Sequence, residues 1–227
     1  IGAKEILDDM ISEEGKRALN SYELANVYNL QAFLSYSRED YQGSLRYYEL
    51  VIAQPDIPLA MEINTRFTVA QLYFVQEKWR QGIDALLVWF NLNEKPNAGA
   101  YVLLAQGYYQ VKDYNLALQN VETAISMHEV EGKLPKEQWY NLARFLYFDK
   151  EDYDSALNVL NTLIIYYPKK QYWIQASHLY GEKKDETRQL ALMEAAYEQG
   201  FLDRSSELVT MAYLYLNAEA PYYAGSV

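Results

Sequence analysis

Between Ala98 and Met127, apolar and small residues return every three or four positions along two successive stretches. Tyr101, Leu104, Ala105 and Tyr108 fall on one face of the first stretch, and Ala117, Val121 and Ala124 on one face of the second. A 3.6-residue period predicts two amphipathic helices. The polar step Lys112–Asp113–Tyr114 between them predicts a tight turn. A small residue set between large ones marks where two helices approach closely.

The arrangement recurs along the chain. The small slot of the first helix falls at Ala32, Ala70, Ala105, Ala143, Ser177 and Ala212, with separations of 38, 35, 38, 34 and 35. Four residues earlier stand Tyr28, Arg66, Tyr101, Trp139, Trp173 and Leu208; Arg66 is the poor match. Second helices start at Asp40–Tyr41, Lys78–Trp79, Asp113–Tyr114 and Asp152–Tyr153. Aspartate caps a helix start with its side chain and its charge suits the positive end of the dipole. Three residues past each aromatic a second small slot holds Ser44, Gly82, Ala117 and Ala156. The fifth unit departs, with Glu186 and Gln189 at these places. Pro55, Pro96 and Pro168 stop the second helices.

This spacing resembles the tetratricopeptide repeat, whose period is about 34 residues. The resemblance implies an all-α fold, a right-handed superhelical array of antiparallel helix pairs. Residues 1–20 read as the second helix of a truncated preceding repeat, because Ala3, Leu7 and Met10 carry that spacing. Residues 21–227 read as an array of about six units, the last cut short after Pro221–Tyr222–Tyr223 opens its second helix. The expectation is an excerpt of a longer protein.

In such an array the first helices line a concave face. Residues one, five and eight after the large slot point there, which selects Phe33, Tyr36, Phe67, Gln71, Phe74, Val102, Gln106, Tyr109, Tyr140, Arg144, Tyr147 and His178 as a protein-binding groove. Aromatic residues and arginine are the types enriched at interface hot spots. The competing reading is that several of them pack helix against helix. Chaperone-binding tetratricopeptide domains clamp a terminal carboxylate with Lys, Asn and Arg. Here Asn29, Phe67, Val102 and Tyr140 occupy those places, so that clamp is not expected.

Charge narrows the partners. The chain carries 20 basic and 31 acidic residues, a net −11, which phosphate backbones and anionic membrane faces repel. Nucleic acid is therefore not an expected partner. No apolar run approaches the about 18 residues a membrane span needs. There is no cysteine, which removes disulfide and thiolate chemistry. Two histidines, His128 and His178, stand apart without a zinc-ligand spacing. No nucleophile elbow, phosphate-binding loop or dinucleotide fingerprint occurs, so neither an enzyme nor a cofactor is expected.

Several runs resemble one bacterial family more closely: Ser21–Leu45, Lys95–Leu118, Lys136–Leu160, Tyr166–Glu186 and Ser205–Gly225. The family is the tetratricopeptide proteins encoded beside TonB–ExbB–ExbD energy-transduction systems in gammaproteobacteria. Pro168–Lys–Lys–Gln–Tyr–Trp173 and Ala220–Pro–Tyr–Tyr–Ala224 are the more specific parts. The resemblance implies an accessory periplasmic scaffold for iron–siderophore transport, with TonB, ExbB or ExbD periplasmic segments as partners. Two other readings stand beside it: a self-assembling, homo-oligomeric module, and a regulatory domain of a larger protein.

Overall fold

The computed structural model describes residues 2–218, and among them the chain is helices joined by turns. In order these are α1 (Ala3–Met10), α2 (Glu13–Ala18), α3 (Ser21–Tyr36), α4 (Tyr41–Ile52), α5 (Leu59–Val75), α6 (Trp79–Leu92), α7 (Ala98–Gln110), α8 (Tyr114–Val130), α9 (Glu137–Asp149), α10 (Tyr153–Tyr166), α11 (Lys170–Glu182), α12 (Glu186–Glu198) and α13 (Ser205–Asn217). The chain divides into two compact units, one ending at Thr123 and the other starting at Ala124. The pairs α3/α4 and α5/α6 belong to the first, α9/α10 and α11/α12 to the second. The all-α array of helix pairs expected from the spacing is the observed fold.

The repeat is carried by the turn inside each pair. Glu39, Glu77, Lys112, Glu151 and Lys184 all have positive φ, between 56° and 64°. The N–H of each donates three residues back, and the N–H of the next residue donates five back, as in Lys112 to Tyr109 and Asp113 to Tyr108. These paired bonds satisfy carbonyls that a helix end leaves open. The following residue then caps the second helix. Asp40 accepts from Gly43 N–H at 2.8 Å, Asp113 from Leu116 at 3.3 Å, Asp152 from Ser155 at 3.1 Å and Asp185 from Arg188 at 3.1 Å. Lys78 breaks the series and makes no such cap.

An aromatic pair straddles four of the five turns. Tyr36–Tyr41, Phe74–Trp79, Tyr109–Tyr114 and Phe148–Tyr153 have ring centroids 5.7–6.2 Å apart. The first aromatic of each pair stands eight residues before the second helix's small slot: Tyr36 and Ser44, Phe74 and Gly82, Tyr109 and Ala117, Phe148 and Ala156. A Cβ on Gly82 would meet the Phe74 ring at 3.1 Å, so there the large side chain needs the small one. The fifth pair inverts the sizes. Gly181 takes the aromatic place, Gln189 the small one, and a Cβ on Gly181 would meet Gln189 at 2.8 Å. The apparent degeneracy of this unit is a compensated exchange.

One expectation for the ends changes. Residues 3–18 form two short helices rather than one, because Ser12 caps a new start by accepting from Gly15 N–H at 3.1 Å. The helix expected to open at Pro221 lies outside the described residues.

Candidate protein-binding face

The shared turn fixes a common frame for the first helices. Eight residues before the positive-φ residue stand Gln31, Val69, Leu104, Ala143 and Ala176; twelve before stand Val27, Thr65, Ala100, Trp139 and Tyr172; all ten are buried. Seven before stand Ala32, Ala70, Ala105, Arg144 and Ser177, buried except for Arg144. In the fourth unit the small slot counted from the turn is therefore Arg144, not Ala143. Turn landmarks at Asp113, Asp152 and Asp185 are spaced 39 and 33 residues apart, against 38 and 34 from the alanine count. Ala143 is buried either way, and that disguises the slip.

Three candidate residues therefore lie off the groove positions. Tyr140 is buried, and its hydroxyl donates to Glu129 at 3.0 Å. Burial, then the Glu129 carboxylate, raises its pKa well above the ordinary tyrosine value. Arg144 is only partly exposed; Nη2 donates to Asn141 at 3.2 Å, Nη1 to Gln175, and the guanidinium lies 5.8 Å from the Tyr172 ring centroid. Desolvation by burial lowers its pKa, and its Nε finds no hydrogen-bond partner. Tyr147 is half-buried against the core of α10 and α11. The residues equivalent to the groove positions of the other units are instead Asn141, Phe145 and Phe148, which the alanine count passed over and the aspartate count would have found.

Two more candidates are buried in the first unit. Phe74 packs with Ala70, Ile83 and Leu86, in space left by Gly82 and Gly107. A Cβ on Gly107 would stand 2.7 Å from the ring. Val102 is buried in α7. Neither side chain is open to a partner. Phe67 is half-buried, 4.8 Å from Trp89 by ring centroids, and Tyr109 is half-buried against Tyr114.

The position six before the turn residue stays exposed throughout: Phe33, Gln71, Gln106, Phe145 and His178. Phe33 is 60% exposed and Phe145 44%. Tyr36 is 46% exposed at the end of α3. So Phe33, Tyr36, Gln71, Gln106 and His178 are the candidate residues that reach solvent.

In the second unit polar side chains join the first helices. Glu137 on α9 accepts from Lys169 Nζ at 2.7 Å and from the hydroxyl of the fully buried Tyr172, which also accepts from Asn141 Nδ2 at 2.7 Å. Lys170 donates to Asp203 and, at 2.9 Å, to Glu207. Hydrogen bonds from Lys169 and Tyr172 hold the Glu137 carboxyl below the usual range, and one from Lys170 does so for Asp203. At Glu207 burial pushes upward, but Lys170 and backbone N–H groups outweigh it. A cleft of about 520 Å³ lies here, lined by Lys169, Lys170, Gln171, Ile174, Gln175, Arg204 and Glu207. A second, of about 440 Å³, has an apolar floor of Phe148, Tyr153 and Leu179 and a rim of His178, Glu182 and Lys183.

Among the described residues, no group of three His, Asp or Glu side chains is placed to hold a metal ion. No helix there is long and apolar enough to cross a membrane.

No protein-family model and no curated protein matches the sequence. Solved structures do match in fold. YrrB, described as a tetratricopeptide protein with an unusual peptide-binding site, aligns over 96% of this chain and 99% of its own at 16% identity and TM-score 0.60. MamA aligns over 81% of this chain and 97% of its own, at 16% identity and TM-score 0.59. A tetratricopeptide protein from Parabacteroides merdae ATCC 43184 aligns over 98% of this chain and 81% of its own, at 17% identity and TM-score 0.54. With the repeated turn and the buried small slots, these likenesses establish that the chain has the fold of a tetratricopeptide-repeat array.

Proposed function

We propose that this chain is a non-catalytic protein-binding scaffold whose partners dock on solvent-exposed positions of the first helices within each unit. One observation carries the reading. At a position that the repeat keeps in solvent, two units hold phenylalanine, Phe33 and Phe145. Burying such a side chain completely contributes about 1.5–3 kcal/mol, and at 60% and 44% exposure part of that remains for a partner to gain. The finer reading rests on sequence resemblance alone: a periplasmic accessory of a TonB–ExbB–ExbD system, contacting its periplasmic segments.

Titrating purified periplasmic segments of TonB and ExbD into the chain, followed by calorimetry, tests both levels. Binding that weakens at least tenfold in a Phe33→Ala/Phe145→Ala variant supports both. Binding indifferent to that variant moves the interface elsewhere. Failure of both segments to bind removes the TonB assignment. A photo-crosslinking residue at Gln106, compared with one at Arg46 on α4, then tests the scaffold reading itself, and equal labelling at the two places counts against it.

A further inference from the structure

In the first unit, the groove rows hold no charge. Two, six, nine, ten and thirteen residues before the turn residue, α3, α5 and α7 carry no Asp, Glu, Lys or Arg. This is a chain with 20 basic and 31 acidic residues, so charge is abundant elsewhere and missing here. The exposed polar groups in those rows are mostly amides: Asn29, Asn64, Gln71, Gln106 and Gln110. Leu30, Phe33 and Val75 supply exposed apolar surface beside them.

The amides also differ in how they are used. Gln42 bonds Gln76 at 2.6 Å, Gln54 bonds the Leu50 carbonyl at 3.1 Å, and Asn120 bonds the Leu116 carbonyl at 2.8 Å. Asn26, half-buried in the same rows, donates to the Tyr22 carbonyl at 2.8 Å, whereas the five exposed amides make no side-chain hydrogen bond to the described chain. Each offers two donors and one acceptor oxygen, the complement of a peptide main chain. A partner brought onto such a face desolvates amides rather than ions, and the ionic penalty is far larger.

Resting on the scaffold reading, we infer that this face binds an extended, uncharged stretch of polypeptide, held through its main chain by the amides and anchored by apolar side chains at the α3 end. Neighbouring packed helices lie about 8–10 Å apart, so crossing three of them spans about 16–20 Å. An extended chain covers about 3.3 Å per residue, which makes the bound core about five or six residues long.

The test is selection of a random twelve-residue peptide library on the purified full chain. The expected outcome is enrichment of sequences depleted in Asp, Glu, Lys and Arg over a core of about six residues. Affinity of the best peptide should change less than twofold between 50 and 500 mM salt, since no ion pair is screened. Methylating alternate main-chain nitrogens of that peptide should weaken it at least tenfold. A Gln71→Glu/Gln106→Glu variant should shift selection toward Lys and Arg. Enrichment of charged peptides on the unaltered chain, or affinity falling tenfold with salt, overturns the inference and leaves the scaffold reading standing. Selected peptides that bind equally well to a Phe33→Ala/Gln71→Ala/Gln106→Ala variant overturn the placement of the site. Absence of any enrichment overturns the inference too, and sedimentation of the chain alone then shows whether a second copy covers the face.

Discussion

The first unit is held by close apolar packing and the second adds polar bonds between its first helices. In the first, Phe74 fits where Gly82 and Gly107 lack side chains. In the second, Arg144 occupies the place of an alanine, and Asn141, Gln175 and Tyr172 gather round it. The shifted carboxyls follow the same division. Those held low, Glu131, Glu137, Asp152, Asp203 and Glu207, all belong to the second unit. One backbone repeat thus supports two chemistries, because the turn and caps fix the frame and leave the slot contents free to vary.

The contrast is open to direct attack. Emptying the cores should hurt both units: Leu86→Ala and Leu160→Ala each remove a fully buried side chain and should cost about 2–5 kcal/mol in denaturant unfolding. A loss under about 1 kcal/mol at either site would mean that the core there closes round the gap. Gly107→Ala should cost about 1–3 kcal/mol through overpacking against Phe74. An unchanged midpoint would mean that the ring moves aside and the close fit is dispensable.

Tyr172→Phe keeps the packing but removes the hydroxyl shared by Glu137 and Asn141. It should cost about 1–2 kcal/mol, and unchanged stability would speak against the polar network. Acid should separate the units further. A carboxyl whose folded pKa is depressed contributes stability above its unfolded pKa, and that stability is lost as pH falls through the folded value. Glu137 and Glu207 lie below the ordinary 4.5. Hydrogen exchange measured between pH 5 and 3 should show α9, α11 and α13 opening before α3 and α5, and simultaneous opening would erase the distinction. The smallest effect is a gain. Lys112 holds a left-handed conformation that glycine adopts freely, so Lys112→Gly should stabilise by about 0.5–1 kcal/mol.

Much of the architecture was legible in the chain. Alternation of small and large residues located each helix pair, and Asp40, Asp113 and Asp152 marked the starts of second helices because capping is local chemistry. The candidate face was only partly legible. Phe74 looked like a groove residue by spacing, yet it turned inward because glycines on α6 and α7 made room. Tyr140 and Arg144 were misplaced by one residue. Burial in α9 covers two adjacent positions, so an alanine at either reads alike in sequence. Gln189 looked like a lapse until Gly181 was seen to vacate the space it fills.

Periodicity, capping residues and breakers are properties of a few neighbouring positions, and they determined helix pairs, turns and repeat length from the sequence. Which side chain of a helix faces water depends on what stands across from it. That was decided by tertiary packing: by Gly107 opposite Phe74, by Gln189 opposite Gly181, and by Tyr172 beneath Arg144. A one-residue step rotates a helix position by about 100°, enough to exchange core for solvent, so the composition of the binding face waited on the fold.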